Sequence, residues 1–219
     1  METAEPVNRW VDADWAKRYL SERDGLPHRM EGFAVLMEVL PPAPRRVLDL
    51  GTGDGYTLGL LRGVYPGLEG VGVDFSAEML GRARERFAGE AGIEIIEHDL
   101  DDPLPATLGR FDVVVSSFAI HHCVHERKRS LSGEVFDLLE PGGMFANLEH
   151  VDSSTPALHL EFLRAINYTP EQDDPSNKLL DVETQLRWLR ELGFDDVDCH
   201  WKWREIALLC GVKPAAPQD

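Results

Sequence analysis

Basic residues are scarce in this chain: 22 Lys and Arg stand against 39 Asp and Glu, a formal net charge of -17. Such a field repels polyanions, which argues against a nucleic-acid or anionic-membrane partner. Cysteine is sparse too. Cys123, Cys199 and Cys210 lie far apart with no CxxC pair, a pattern that argues against structural zinc and points to a reducing compartment. No apolar stretch approaches the roughly 20 residues needed to cross a bilayer. Glu2 and Glu5 precede any apolar run, so the N-terminus does not read as a secretory signal. Neither an internal repeat nor a long linker is visible. The expectation is a cytoplasmic protein, monomer or homodimer, with a small molecule for a partner. The one basic concentration, Glu126-Arg127-Lys128-Arg129, reads as a solvated helix face.

What is present is alternation. With 219 residues, 43% of them hydrophobic, the chain suits one domain over 1–219. Short apolar runs at Arg45–Leu50, Gly70–Asp74, Ile93–Ile96, Phe111–Ser117 and Met144–Val151 predict five strands. Helical patterns separate them: Thr57–Val64, a helix capped by Ser76, and one from about Glu126 to Glu140 ended by Pro141-Gly142-Gly143. Val197, Cys199 and Trp201 alternate with acids and His200, and Ile206–Leu209 returns behind them as a hairpin. The fold class is therefore α/β: a seven-stranded, mostly parallel, doubly wound sheet with a C-terminal antiparallel hairpin, in three α-β-α layers. A helical cap over about 9–40 and a helical insert over about 152–180 complete it. Trp188, Trp201 and Trp203 fall at helical and strand spacings, as core residues do.

Open α/β sheets bind ligands beyond the carboxyl ends of their strands. The first strand ends in Asp49-Leu50-Gly51-Thr52-Gly53-Asp54-Gly55, where glycine lets the backbone approach a ligand. Asp49 is placed to face an ammonium group, and Asp74, closing the second strand, to accept the hydroxyls of a ribose. Nicotinamide dinucleotides compete for such a loop. Their third glycine would fall at Tyr56, however, and Asp54 is a poor neighbour for phosphates. A cofactor carrying an ammonium and a sulfonium suits an acidic loop better.

On these residues the chain resembles the class I S-adenosylmethionine-dependent methyltransferases from about Leu40 to Lys213. Val47–Gly55 is similar to their first motif, Gly72–Leu80 to their second, His98-Asp99-Leu100 to their third and Phe111–Phe118 to their fourth. Leu139–Phe145 is similar to the turn before the fifth strand. The resemblance implies S-adenosyl-L-methionine as cofactor. Gly51, Thr52, Gly53, Ser116 and Ser117 would meet its methionine end. Phe75 would lie beside ribose and adenine, with Met79 of the same motif among the contacts. Asp99 and Leu100 would meet the adenine. An N-terminal helix would bring Tyr19 and Arg29 nearby, Arg29 as a clamp on the methionine carboxylate. Ser117–Ile120 and the closing hairpin also resemble carboxy-S-adenosylmethionine synthases, with Ser where those enzymes carry Asn.

Methyl transfer needs positioning and exclusion of water, and a base only where the acceptor must lose a proton. His121, His122 and Cys123 follow the fourth strand, and Glu149 and His150 close the fifth. His121 or His122 is expected to orient or deprotonate the acceptor. Adjacent histidines rarely chelate one ion, so no metal is expected. His159, Phe162 and Tyr168 of the insert are expected to shape the acceptor pocket. A carboxy-S-adenosylmethionine synthase-like enzyme, methylation of a tRNA base, or a non-catalytic protein that keeps the cofactor fold are the alternatives.

Overall fold

The computed structural model describes residues 25–216; the candidate Tyr19 lies outside them. Helix α1 (Arg29–Val39) precedes β1 (Arg46–Leu50), α2 (Tyr56–Val64), β2 (Glu69–Asp74), α3 (Ala77–Arg86), β3 (Ile93–Glu97) and β4 (Phe111–Ser117). Then follow α4 (His125–Leu138), β5 (Leu139–His150), α5 (Pro156–Ala165), α6 (Val182–Glu191), β6 (Asp195–Trp203) and β7 (Ile206–Val212). The seven strands form one sheet in the order β3-β2-β1-β4-β5-β7-β6. β1 to β5 run parallel, and β7 pairs antiparallel with both β5 and β6.

Period-two alternation splits each central strand between two cores. Leu48, Leu50 and Val114 pack on one face with Leu131 and Val135 of α4 and Leu186 and Leu189 of α6. Val47, Val113 and Val115 pack on the other with Phe33 and Leu36 of α1 and Leu58 and Leu61 of α2. Strands buried on both faces must read as continuous apolar runs, as these do. Trp201 and Trp203 pack against the second core.

Three local expectations give way to the structure. Pro141-Gly142-Gly143 does not stop α4 but lies inside β5, where the β4 pairing shifts register between Phe111 and Val113. Ser76 occupies the N-cap of α3 without a side-chain bond; its backbone N–H is spent on Asp74 instead. The run at 126–129 is a solvated face only in part: Glu126 and Arg129 are exposed, their two neighbours are not. Arg127 and Lys128 are 9% and 4% exposed, because both are consumed by loop carbonyls described below.

Sheet order reverses between β1 and β4, so the connections leaving these two strands diverge to opposite faces and open a crevice at their carboxyl ends.

Candidate active site

The crevice, about 830 Å³ and open to solvent, occupies that reversal point. Its floor is the β1–α2 turn. Gly51 has φ +67°, and a Cβ there would lie 2.1 Å from Cβ of Ala119, so only glycine lets this turn meet the one that follows β4. Gly53, at φ +55°, faces open space. Thr52 N–H donates to the Val73 carbonyl at 2.9 Å and ties the turn to β2.

Asp74 secures the same turn from the side. Its two carboxylate oxygens accept the backbone N–H groups of Gly53 and Ser76, each at 2.9 Å, and each oxygen keeps a lone pair for a ligand. Burial pushes its carboxyl above the usual range, against those hydrogen bonds. Asp54 also lines the crevice, but its charge is answered by Arg86 at 2.9 Å. Phe75, Met79, Asp99 and Leu100 complete this side.

Asp49 stands behind the turn, with no surface exposed. Thr52 Oγ1 donates to its Oδ2 at 2.8 Å, while Oδ1 has no hydrogen-bond partner within normal distance among the described residues. Burial pushes its carboxyl up to about 7, and the carboxylates of Asp74 and Asp54 push the same way. A buried half-satisfied acid is a costly group that a cation beyond the turn would relieve.

The opposite wall is built on β4. Ser117 Oγ lies 2.8 Å from Thr57 Oγ1 and faces the crevice. Ser116 does not: alternation turns it inward, where its hydroxyl donates to the Leu50 carbonyl at 2.9 Å and staples β4 to β1. Phe118 follows with φ +53°, a strained conformation for a bulky residue. Its ring is one of three around the buried guanidinium of Arg29, with Tyr56 and Phe33, at 5.2 to 5.3 Å. Arg29 lines the crevice from α1.

The two candidate histidines separate. His122 lines the crevice; His121 does not. The short helical turn over Ile120–His122 puts the two rings 4.1 Å apart, with His121 buried behind. There its Nδ1 lies 2.6 Å from Oε1 of Glu149, a buried acid near the end of β5. Burial lowers the affinity of both histidines for a proton and raises that of Glu149. Cys123 lines the crevice too, its thiol pushed up to about 12 by burial.

No residue of the 152–180 insert lines the crevice, against expectation. Phe162 is spent in the core, and Tyr168 is exposed. His159 is tied to Glu205 and Asp173. The insert approaches the histidine turn from behind: Ser176 Oγ lies 3.4 Å from His122 Nδ1, Lys178 N–H donates to the His121 carbonyl at 2.9 Å, and Lys178 Nζ donates to the His122 carbonyl at 3.4 Å. Sequence reasoning passed over Tyr56 and Phe118 as wall residues, and their spacing gives no signal for it. It set Glu149 among the strand-tip candidates without its partner; an acid closing the run Phe145-Ala146-Asn147-Leu148 is the trace of that buried role.

Residues 47–143 match the family model described as a methyltransferase domain. Over 188 residues the chain is 29% identical to the carboxy-S-adenosyl-L-methionine synthase of Desulforapulum autotrophicum, covering 78% of this chain and 76% of that protein. It is 30% identical over 180 residues to a non-reducing polyketide synthase of Penicillium shearii, covering 79% of this chain and 8% of that much larger protein. Among solved structures, an O-methyltransferase family protein from Burkholderia thailandensis superposes with a TM-score of 0.74 at 21% identity, over 95% of this chain and 63% of that one.

Proposed function

This chain belongs to the class I S-adenosylmethionine-dependent methyltransferases, and we propose that it transfers a methyl group to a small-molecule acceptor that gives up a proton in the reaction. The residues present fit the family's cofactor. The crevice is walled by carboxylates, Gly53 leaves open space where a side chain would intrude, and a buried oxygen of Asp49 lacks a partner. Such a lining suits a ligand with cationic centres and hydroxyl donors, and opposes a diphosphate. Asp74 would hold the ribose, Asp99 and Leu100 the adenine, and Gly51, Thr52, Gly53 and Ser117 the methionine end. Arg29 would hold its carboxylate. Bound S-adenosylmethionine supplies a methyl carbon already activated by positive sulfur.

One observation carries the proton-accepting half of this reading: the 2.6 Å contact of His121 with Glu149, directly behind the crevice-facing His122. His122, kept neutral by its surroundings, takes the proton from an acceptor hydroxyl or acidic carbon. The His121 ring, itself held by Glu149, packs against the His122 ring, and the Glu149 carboxyl group favours the charge that arrives. The strongly acidic chain supports a small acceptor over a nucleic acid. Incubation with labelled methyl donor and a metabolite extract tests the proposal; the expected result is label in a small neutral or acidic product. Label confined to RNA, or to no product, overturns it.

The 76% coverage of a carboxy-S-adenosylmethionine synthase favours a second reading, in which the donor's methyl carbon loses a proton and bonds to a carboxyl group released by a decarboxylating carboxylic-acid cosubstrate. Arg29 would then meet that added carboxylate. Mass spectrometry of the nucleoside that co-purifies separates the two.

A further inference from the structure

We propose that two consecutive residues of α4, Arg127 and Lys128, are the positioning residues that set the donor side and the proton-accepting side of the crevice independently. The inference rests on the proposed S-adenosylmethionine site. Neighbours on a helix project about 100° apart, so adjacent side chains can reach two different loops. Here they do. Arg127 Nε donates to the Leu100 carbonyl at 2.6 Å, and one terminal nitrogen donates to the Asp102 carbonyl at 2.8 Å. The remaining donors go to Ser130 Oγ and to both oxygens of Glu134. All five guanidinium N–H groups are thus used. Glu134 in turn accepts the Leu104 N–H at 2.9 Å.

The segment gripped in this way carries Asp99, Leu100 and Asp101, which line the crevice. On its other side the segment is held by His98 N–H to Asp74 and by the turn from Asp102 N–H to Asp99. Among the described residues, Arg127 and Glu134 are the side chains of α4 that hydrogen-bond this segment. Lys128 points elsewhere. Its buried ammonium donates to the Ile120 carbonyl at 2.6 Å, at the start of the short turn that bears His121 and His122. A carbonyl of each loop therefore depends on a buried cation, and neither cation lines the crevice.

The two should be separable by experiment. Calorimetric binding of S-adenosylhomocysteine and of 5′-methylthioadenosine, which lacks the amino-acid end, reads the donor side. Arg127→Met should weaken both ligands by about tenfold or more, the loss expected when a loop is released from a charged hydrogen-bond anchor. Glu134→Gln should fall between that and the wild type. Lys128→Met should leave both affinities within about threefold, while the imidazole resonances of His121 and His122 shift or broaden; in Arg127→Met those signals stay in place. If Arg127→Met does not fold, Arg127→Lys, which keeps the charge and loses the fork, carries the same test together with Glu134→Gln. Unchanged ligand affinity in the folded Arg127 variants, or equal losses in the Arg127 and Lys128 variants, overturns the proposal. Failure of the wild type to bind S-adenosylhomocysteine would instead strike at the site itself.

Discussion

The two sides of the crevice are built by different means. The β1–β2 side is mostly backbone: glycines at positive φ, a tight turn, and a carboxylate at the end of β2 gripping two N–H groups. The β4–β5 side is made of side chains drawn from distant segments: Ser117, Phe118 and His122 from β4 and the turn after it and Arg29 from α1 line the crevice, while Glu149 of β5 and Ser176 of the insert stand behind them. A backbone cradle recognises a ligand that never changes, and its geometry is written in a few consecutive residues. A side-chain wall can be altered one residue at a time to take another acceptor.

The sharpest way to break this comparison is at His122. If it is the proton acceptor, His122→Ala should cut turnover by about 10² to 10⁴-fold, the usual worth of a positioned base. S-adenosylhomocysteine affinity should stay within about threefold. Because burial holds His122 below its ordinary 6.5, the acid limb of the kcat/KM profile should lie below pH 6.5, with activity flat above it. A limb at or above pH 7 would exclude this residue as the base.

Next in size is the backbone side. Asp74→Asn keeps the shape but loses the charge that organises Gly53 and any ribose hydroxyl. Donor affinity should fall by about 10 to 100-fold, from charge-assisted bonds of roughly 1.5–3 kcal/mol. The acceptor KM should move little. An equal rise in both would mean that the sides are coupled through the turn at Gly51 and Ala119.

Asp49 tests whether the donor side holds a paid-in-advance cation site. Its carboxyl lies at about 7 in the fold against 3.8 when free. The folded state therefore binds the extra proton, and stability falls as pH rises from 3.8 to about 7, levelling above. Asp49→Asn should raise the stability of the ligand-free protein by on the order of 1–3 kcal/mol at pH 8, and by almost nothing near pH 4. Donor affinity should drop about tenfold, since the partnerless Oδ1 no longer carries charge. Denaturant melts at the two pH values, with and without S-adenosylhomocysteine, decide it.

Legibility in the sequence follows the same divide. Five strands, the glycine turn, Asp74 and the closing hairpin could all be read because each is local: a run, a spacing, a strand end. Serines at 116 and 117 look alike in a string, so both present themselves as cofactor contacts; only the pleat shows which one faces out. Arg127 and Lys128 look solvated by composition, since the carbonyls they serve lie about 20 residues or more away, or across a turn. His121 and His122 are neighbours in the chain, yet His122 lines the crevice and His121 meets Glu149. Long-range pairing decided that.

The smallest effect concerns the insert, which the structure removes from the crevice wall. His159 joins α5 to the buried Glu205 at 3.0 Å and to Asp173 at 3.3 Å. These carboxylates raise its proton affinity above the ordinary value, overcoming the opposite effect of burial. A raised histidine contributes stability that is full below pH 6.5 and lost as pH climbs through its folded value. Glu205 is shifted down, by hydrogen bonds that outweigh its burial, with His150, Ser153 and His159 as donors. Its share is present above pH 4.5 and lost on acidification. The anchor is therefore strongest in the window between. His159→Gln should cost about 0.5–1 kcal/mol at pH 6, after allowance for solvent screening, and less at pH 9. Donor affinity should not change at either pH. Were it to fall together with stability, the insert would belong to the cofactor side after all, and the division between a backbone cradle and a side-chain wall would have to be redrawn around α5.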